Sequence, residues 1–283
     1  MKIRTLAWLL RRSVLAAFDD NCFAIAKGAA YSALLAFFPV LASTAAILVQ
    51  TRSQLVSQTL ENLLAEIVPP GTESLVAQQF RVSGTRPVYL LIAAGLISLW
   101  AASGVIKSLI EGFQSAYRVP RNRSFLHHNL IAMSLVLLVG APLIGASLLL
   151  LFGGLVERVA FHNNSLQPLA PFWQFLSRVA RYTLSFTSTT LVTSLLYYFG
   201  PYRQQRWSGV WRGGVLASVG WLLATSGFGW YVRNIAHYNV MYGSVGASIA
   251  LLVWMYLMAV IALIGCEFNA EYERASASPA EAR

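Results

Sequence analysis

A chain of 283 residues with 57% hydrophobic and 11% charged residues carries under half the charged share of a soluble domain, which is about 25%. With a mean hydropathy of +0.58, it is too apolar for a cytosolic enzyme, a secreted disulfide scaffold or a disordered chain, and it reads as an integral membrane protein. The formal charge of +10 does not point to nucleic acid. Its basic residues stand between apolar runs, the pattern of topology signals and lipid-headgroup contacts.

In chain order, Ile3, Leu6, Leu10, Val14 and Ala17 recur at spacings of three and four, with Lys2, Arg4, Arg11, Arg12, Asp19 and Asp20 mostly elsewhere. This predicts an amphipathic helix, and two placements fit it: lying in the cytoplasmic interface, or packed against the bundle. The first of six predicted spans is 28–49, free of charge and too long for the apolar core of a cleavable signal peptide. Beyond it, Val56, Leu60, Leu63 and Ile67 form a helical stripe that Pro69, Pro70 and Gly71 break, and a short helix over 72–80 completes an outer helical hairpin. That hairpin either caps a cavity or packs on the outer ends of the helices.

The remaining spans are predicted over 87–106, 129–156, 182–201, 213–232 and 242–266. Pro39 and Pro142 fall inside the first and third spans and are candidate helix kinks. The fourth holds a Ser/Thr run from Ser185 to Ser194, which either lines a polar path or bonds back to its own helix. Gly209 with Gly213, Gly243 with Ala247 and Gly246 with Ala250 are each four apart, a spacing that lets helices pack closely within the bundle or between two copies in a homodimer. Residues 32–39 and 194–201 both end an apolar run in proline, a weak echo of an inverted repeat. One transmembrane domain covers 1–274, and the Ala/Ser/Pro-rich tail 275–283 is expected to be disordered.

Positive charge sets the orientation. Lys2, Arg4, Arg11, Arg12, Lys27, Arg118, Arg121, Arg123, Arg203, Arg206, Arg212, Arg274 and Arg283 fall on one side of the threading. Arg52, Arg81, Arg86, Arg158, Arg178, Arg181 and Arg233 fall on the other. The richer side is cytoplasmic, so both termini are expected inside.

Several motifs now combine. They are Lys27-Gly-Ala-Ala-Tyr-Ser-Ala-Leu-Leu-Ala-Phe-Phe-Pro39, then Trp100, Ser103-Gly104, Lys107, Glu111 and Tyr117-Arg118-Val119, then Tyr197-Tyr-Phe-Gly-Pro201, and finally Tyr242-Gly-Ser-Val-Gly-Ala247, Trp254-Met-Tyr256 and Gly265-Cys-Glu-Phe-Asn-Ala-Glu271. As a set they resemble the YihY/BrkB family of bacterial inner-membrane proteins, with Cys266 standing where a small residue such as Ala is expected. The resemblance implies an inner-membrane location, and links some members to serum resistance and others to export of lipid or lipopolysaccharide precursors. It brings no catalytic residues. The ribonuclease label once attached to the family finds little in this chain: Glu61, Glu66 and Glu73 lie in the outer loop, and His127-His128 has no matching acidic motif. Ser244 among glycines has no histidine within any span to activate it, so an intramembrane protease is not expected. Cys22 and Cys266 imply neither a disulfide framework nor a zinc site. No cofactor, metal or nucleic acid is expected.

What remains is a belt of charge at the cytoplasmic ends of the spans. Lys107 and Glu111 are four apart, as are Glu267 and Glu271, and Lys27 and Arg212 stand at the starts of the first and fifth spans. The six are a candidate gate or a candidate static lock. The expected function is movement or flipping of a lipid or lipid-linked envelope precursor, with membrane lipids as partners. The alternative is a structural or assembly protein that binds a membrane partner.

Overall fold

The computed structural model describes residues 3–50, 88–120, 126–142, 170–234 and 244–277, and among these the only regular structure is helical. In chain order the helices are α1 (Ile3–Asp19), α2 (Cys22–Gln50), α3 (Val88–Ala116), α4 (Leu126–Pro142), α5 (Ala170–Phe199), α6 (Trp207–Asn234) and α7 (Ser244–Ala277). The outer hairpin, the far half of the third span, Gly243 and the end of the tail lie outside the described residues.

Four stretches are long and apolar enough to cross a bilayer: Cys22–Leu41 in α2, Ile92–Ala116 in α3, Trp207–Val232 in α6 and Gly246–Ser276 in α7. The described part of α4 is a shorter apolar helix. α5 has the length, but Arg178, Arg181 and its Ser/Thr run lower its hydropathy. The helices outrun the predicted spans. α7 has 34 residues, about 50 Å at 1.5 Å per residue, against a hydrocarbon core of about 30 Å. Its charged last turns therefore project beyond the apolar layer, and it stays helical to Ala277, three residues into the tail expected to be disordered.

On α2, mostly small side chains face inward and large ones outward. Ala26, Ala29, Ala30 and Ala36 of α2 are buried, while Tyr31, Leu35, Phe38 and Val40 of the same helix are exposed. α3 divides by position and not by size, with Ser103, Ile106, Ile110 and Phe113 buried and Ile92, Leu96, Ile97 and Trp100 exposed. In a lipid solvent apolar burial drives nothing, and close packing of small residues is what holds helices together. α2 packs chiefly on α3, and α6 on α5 and α7. α7 is the central post, in contact with α1, α2, α3 and α6.

The α6–α7 crossing is the tightest. A Cβ on Gly213 would collide with the Gly265 carbonyl oxygen, and one on Gly265 would come within 3.0 Å of the Gly213 carbonyl. Ala217, one turn further along α6, is fully buried. Of the predicted close-packing residues, Gly213, Ala247 and Ala250 are buried at helix contacts, whereas Gly209 meets nothing. Pro39 sits within α2, which continues to Gln50, while Pro142 ends the described part of α4. Pro201 lies in the turn after α5, so the two segments of the proposed repeat occupy different positions relative to their helices.

Several polar side chains within the spans bond between helices. Ser98 of α3 donates to Ser43 of α2 at 3.1 Å, and Thr190 of α5 to Ser218 of α6 at 3.0 Å. Trp221 of α6 donates to the Met258 carbonyl of α7 at 2.9 Å. In the Ser/Thr run of α5, Thr189 and Thr193 bond back to carbonyls of their own helix, while Ser188 reaches the Pro142 carbonyl of α4.

Candidate functional site

The charged end of the bundle is organised by the last turns of α7, whose residues point to different neighbours because each advances about 100° around the helix. Asn269 faces α6. Its Oδ1 accepts from the Gly213 amide at 2.7 Å, and its Nδ2 donates to the Val210 carbonyl at 2.9 Å. One buried carboxamide thus bonds both a donor and an acceptor of the facing backbone, which the absence of a side chain on Gly213 makes reachable.

Glu271 faces α1. Arg12 Nε lies 2.9 Å from its Oε2, and Arg274 Nη1 lies 2.5 Å from its Oε1. The other Arg274 amine donates to the Ala116 carbonyl at the end of α3. Through these two residues, α1, α3 and α7 are tied at one point. α1 presents Leu9, Ser13 and Ala17 to the bundle and leaves Trp8, Leu15 and Phe18 exposed. It is therefore docked on the bundle and still carries an apolar outer surface.

Glu267 faces the junction of α1 and α2. It is fully buried, and its Oε1 accepts from the Cys22 thiol at 3.6 Å. The Asp20 carboxylate is near enough for its charge to act on it. Cys22 and Cys266 are both buried and free.

The belt of six is therefore not one network. Lys27 and Glu111 are exposed. Lys107 donates to Asn129 of α4 at 2.9 Å. Lys107 and Glu111 flank His128 with opposite effects, while its partial burial pulls the imidazole below its usual range. Arg212 stacks over Tyr272, 4.1 Å from the ring centroid. Among the described residues no salt bridge joins any two of the six. The structure instead brings in Arg12, Asp20, Cys22, Asn269 and Arg274. A signal for them exists in the sequence: three polar residues, Glu267, Asn269 and Glu271, interrupt an otherwise apolar helix two residues apart and so demand partners on opposite faces, Asn269 on one and the two glutamates on the other.

Beside this post a cleft of about 160 Å³ is lined by Tyr117, Arg203, Ala270, Glu273 and Arg274. Arg203 pairs with Glu273 at 2.5 Å and stacks 5.0 Å from the Tyr117 ring centroid. Burial pushes the Tyr117 hydroxyl up, so it stays a neutral donor. No group of three or more His, Cys, Asp or Glu among the described residues is arranged to hold a metal ion.

Long apolar helices with outward Leu, Ile and Trp, joined by interhelical polar bonds and ending in a charged rim, define a multi-pass membrane protein. The chain belongs to the family described as virulence factor BrkB, whose profile matches residues 15–283. It is 31% identical over 194 residues to the ribonuclease-like protein YfkH of Bacillus subtilis, covering 68% of this chain and 69% of that one. Two UPF0761 membrane proteins match over 88% of this chain: one from Nitrosospira multiformis at 28% identity and one from Alkalilimnicola ehrlichii at 29%. The chain spans 57% and 55% of the length of those two relatives. No solved structure matches the chain.

Proposed function

We propose that this protein moves or flips a lipid or lipid-linked envelope precursor across the bacterial inner membrane, without enzymatic chemistry. In this reading it spans the bilayer six times with both termini in the cytoplasm, the unassigned spans being α4 with its continuation and α5. α1 lies along the cytoplasmic interface with Trp8, Leu15 and Phe18 toward lipid, and the hairpin over 56–80 is on the outer side.

The observation that carries this reading is the cleft at the charged end. Two guanidinium groups, Arg203 and Arg274, and a tyrosine hydroxyl border one small opening where an anionic headgroup would enter the bundle. Guanidinium suits phosphate through its paired, planar donors. Among the described carboxylates Glu273 alone holds Arg203 there, an exposed pair that water and ligand both weaken. In the same reading Glu271 acts as a static lock, and Lys107 with Glu111 borders the α3–α4 side.

The experiment is lipid flipping in proteoliposomes that contain only this protein, with fluorescent phospholipid and lipid A precursor analogues read by quencher access. Acceleration over empty vesicles is expected, with a several-fold loss in Arg203→Ala. No acceleration by folded, inserted protein would overturn the reading in favour of a structural or assembly protein that binds a membrane partner.

A further inference from the structure

The two arginines of the cleft hold their acids to different ends. Arg274 uses one amine on Glu271 and the other on the Ala116 carbonyl, and so fastens α7 to the end of α3. Arg203 and Glu273 fasten nothing that is not held already. The turn that carries Arg203 is fixed from within: the Gly200 amide donates to the Leu196 carbonyl at 2.8 Å, and Gln205 donates back to the Tyr197 carbonyl at 3.1 Å. Arg203 also stacks on Tyr117, 5.0 Å from the ring centroid. α7, for its part, is pinned by Asn269 and Arg274. The Glu273 side chain is 52% exposed and touches Arg203 through one amine, and a pair this exposed adds little to stability.

We propose, building on the reading of this cleft as an anion site, that Glu273 is its resident anion, standing in for a phosphate on Arg203, and that the ligand which displaces it is a phosphate monoester. The choice of class follows from charge. Arg203 already has a tethered carboxylate, which acts at high effective concentration. A ligand with one negative charge, such as a phosphodiester or a carboxylate, offers Arg203 no more than Glu273 does. A phosphate monoester carries about −1.5 to −2 charge at pH 7 and three acceptor oxygens. Guanidinium can take two of these in parallel, where Glu273 makes one contact. Arg274, held in place by Glu271 and the Ala116 carbonyl, adds positive charge that does not move.

Size and depth agree with this. The cleft holds about 160 Å³, below the range of about 300–1,000 Å³ that encloses a drug-sized ligand. It has room for the phosphate end of a headgroup and not for a whole lipid, whose chains stay in the bilayer. The last turns of α7 project beyond the apolar layer, which puts Glu273 and Arg274 where headgroups begin. Displaced, the Glu273 side chain turns to water that it already half meets. It returns to Arg203 as the ligand leaves, so the cleft does not trap what it binds. The phosphate can belong to a lipid headgroup or to a soluble monoester, since both present the same oxygens to Arg203.

The test uses the full chain in neutral detergent, titrated with inorganic phosphate and, in mixed micelles, with phosphatidic acid or phosphatidylglycerol. Binding is read from the rise in unfolding temperature that a ligand of the folded state produces. The wild type should prefer phosphatidic acid, a monoester, to phosphatidylglycerol, a diester. Glu273→Gln should bind phosphatidic acid several-fold more tightly. Arg203→Ala should lose the preference, and the double variant Arg203→Ala with Glu273→Gln should match Arg203→Ala. Asp19→Asn, which removes an exposed carboxylate of α1, should bind as the wild type does, which separates the cleft from net charge. The proposal is overturned if Glu273→Gln gains nothing, if it gains equally for phosphatidylglycerol, or if the gain persists without Arg203. Inorganic phosphate that binds as tightly as phosphatidic acid, with the same gain in Glu273→Gln, upholds the resident anion and overturns the lipid reading of the function. Lipid flipping by a protein in which Glu273→Gln leaves binding unchanged does the reverse.

Discussion

Asn269 does more for this structure than its size suggests. Its carboxamide bonds Val210 O and Gly213 N together, inside an interface from which water is excluded. Truncation removes two buried hydrogen bonds, each worth about 0.5–1.5 kcal/mol net and so about 1–3 kcal/mol together. Asn269→Ala should therefore lower stability by that amount, measured by thermal or denaturant unfolding in detergent. Asn269→Asp keeps the acceptor for Gly213 but faces Val210 O with an oxygen, so it should not rescue. Equal stability of Asn269→Ala and the wild type would show that the facing backbone finds other partners. The neighbouring Tyr197 works in the same way, fully buried and donating to the Ala262 carbonyl at 2.6 Å. Both residues are legible in the sequence as polar groups in apolar runs, but not their partners, which lie 56 to 65 positions away.

At the scale of elements, the α6–α7 crossing depends on two glycines whose backbones nearly touch. Any side chain at Gly213 meets the Gly265 carbonyl and the Asn269 carboxamide at once. The first is backbone and the second a side-chain end held by two hydrogen bonds, so the helices themselves must separate. Gly213→Val should strongly destabilise the bundle or prevent its insertion, whereas Gly209→Val, four residues earlier on the same helix with open space around it, should be tolerated. Paired expression levels and unfolding temperatures check this, and equal effects would show that spacing rather than contact sets the sensitivity. The sequence predicted close packing from the four-residue spacing of Gly209 and Gly213, and only one of the two is used. Spacing places both on one face of α6, but the tilt of α7 across that face decides which one it meets.

For the whole molecule, the uneven distribution of Arg and Lys predicts one orientation. Reporter fusions, or single-cysteine labelling in a variant lacking Cys22 and Cys266, should place residues 3 and 277 on the cytoplasmic side together with Arg118 and Arg203. A terminus labelled from outside would break the six-span proposal, since an even number of crossings returns the chain to its starting side. The four assigned spans were the easiest to read because a bilayer demands about 20 apolar residues in sequence, and α2, α3, α6 and α7 supply them. α5 was harder to weigh, because Arg178 and Arg181 lie in its first half while its second half packs with α6. Which apolar residues of each helix face lipid and which face a neighbour was not legible. Both kinds of residue are apolar, and hydropathy does not separate a Leu facing lipid from an Ala facing a neighbour.

The sequence by itself determined the solvent this protein lives in, its helical class and its family. Each of these follows from composition, from run length and from local motifs, which are properties of contiguous residues. Only the tertiary structure decided what the charged belt is. Glu267 and Glu271, one turn apart and alike in sequence, have opposite surroundings: Glu271 is neutralised by Arg12 and Arg274, and Glu267 meets another acid and a thiol. Four residues apart, the two share one face of α7, and what separates them is the chain that meets that face at each level: Arg12 beside Glu271, and Cys22, 245 positions away, beside Glu267.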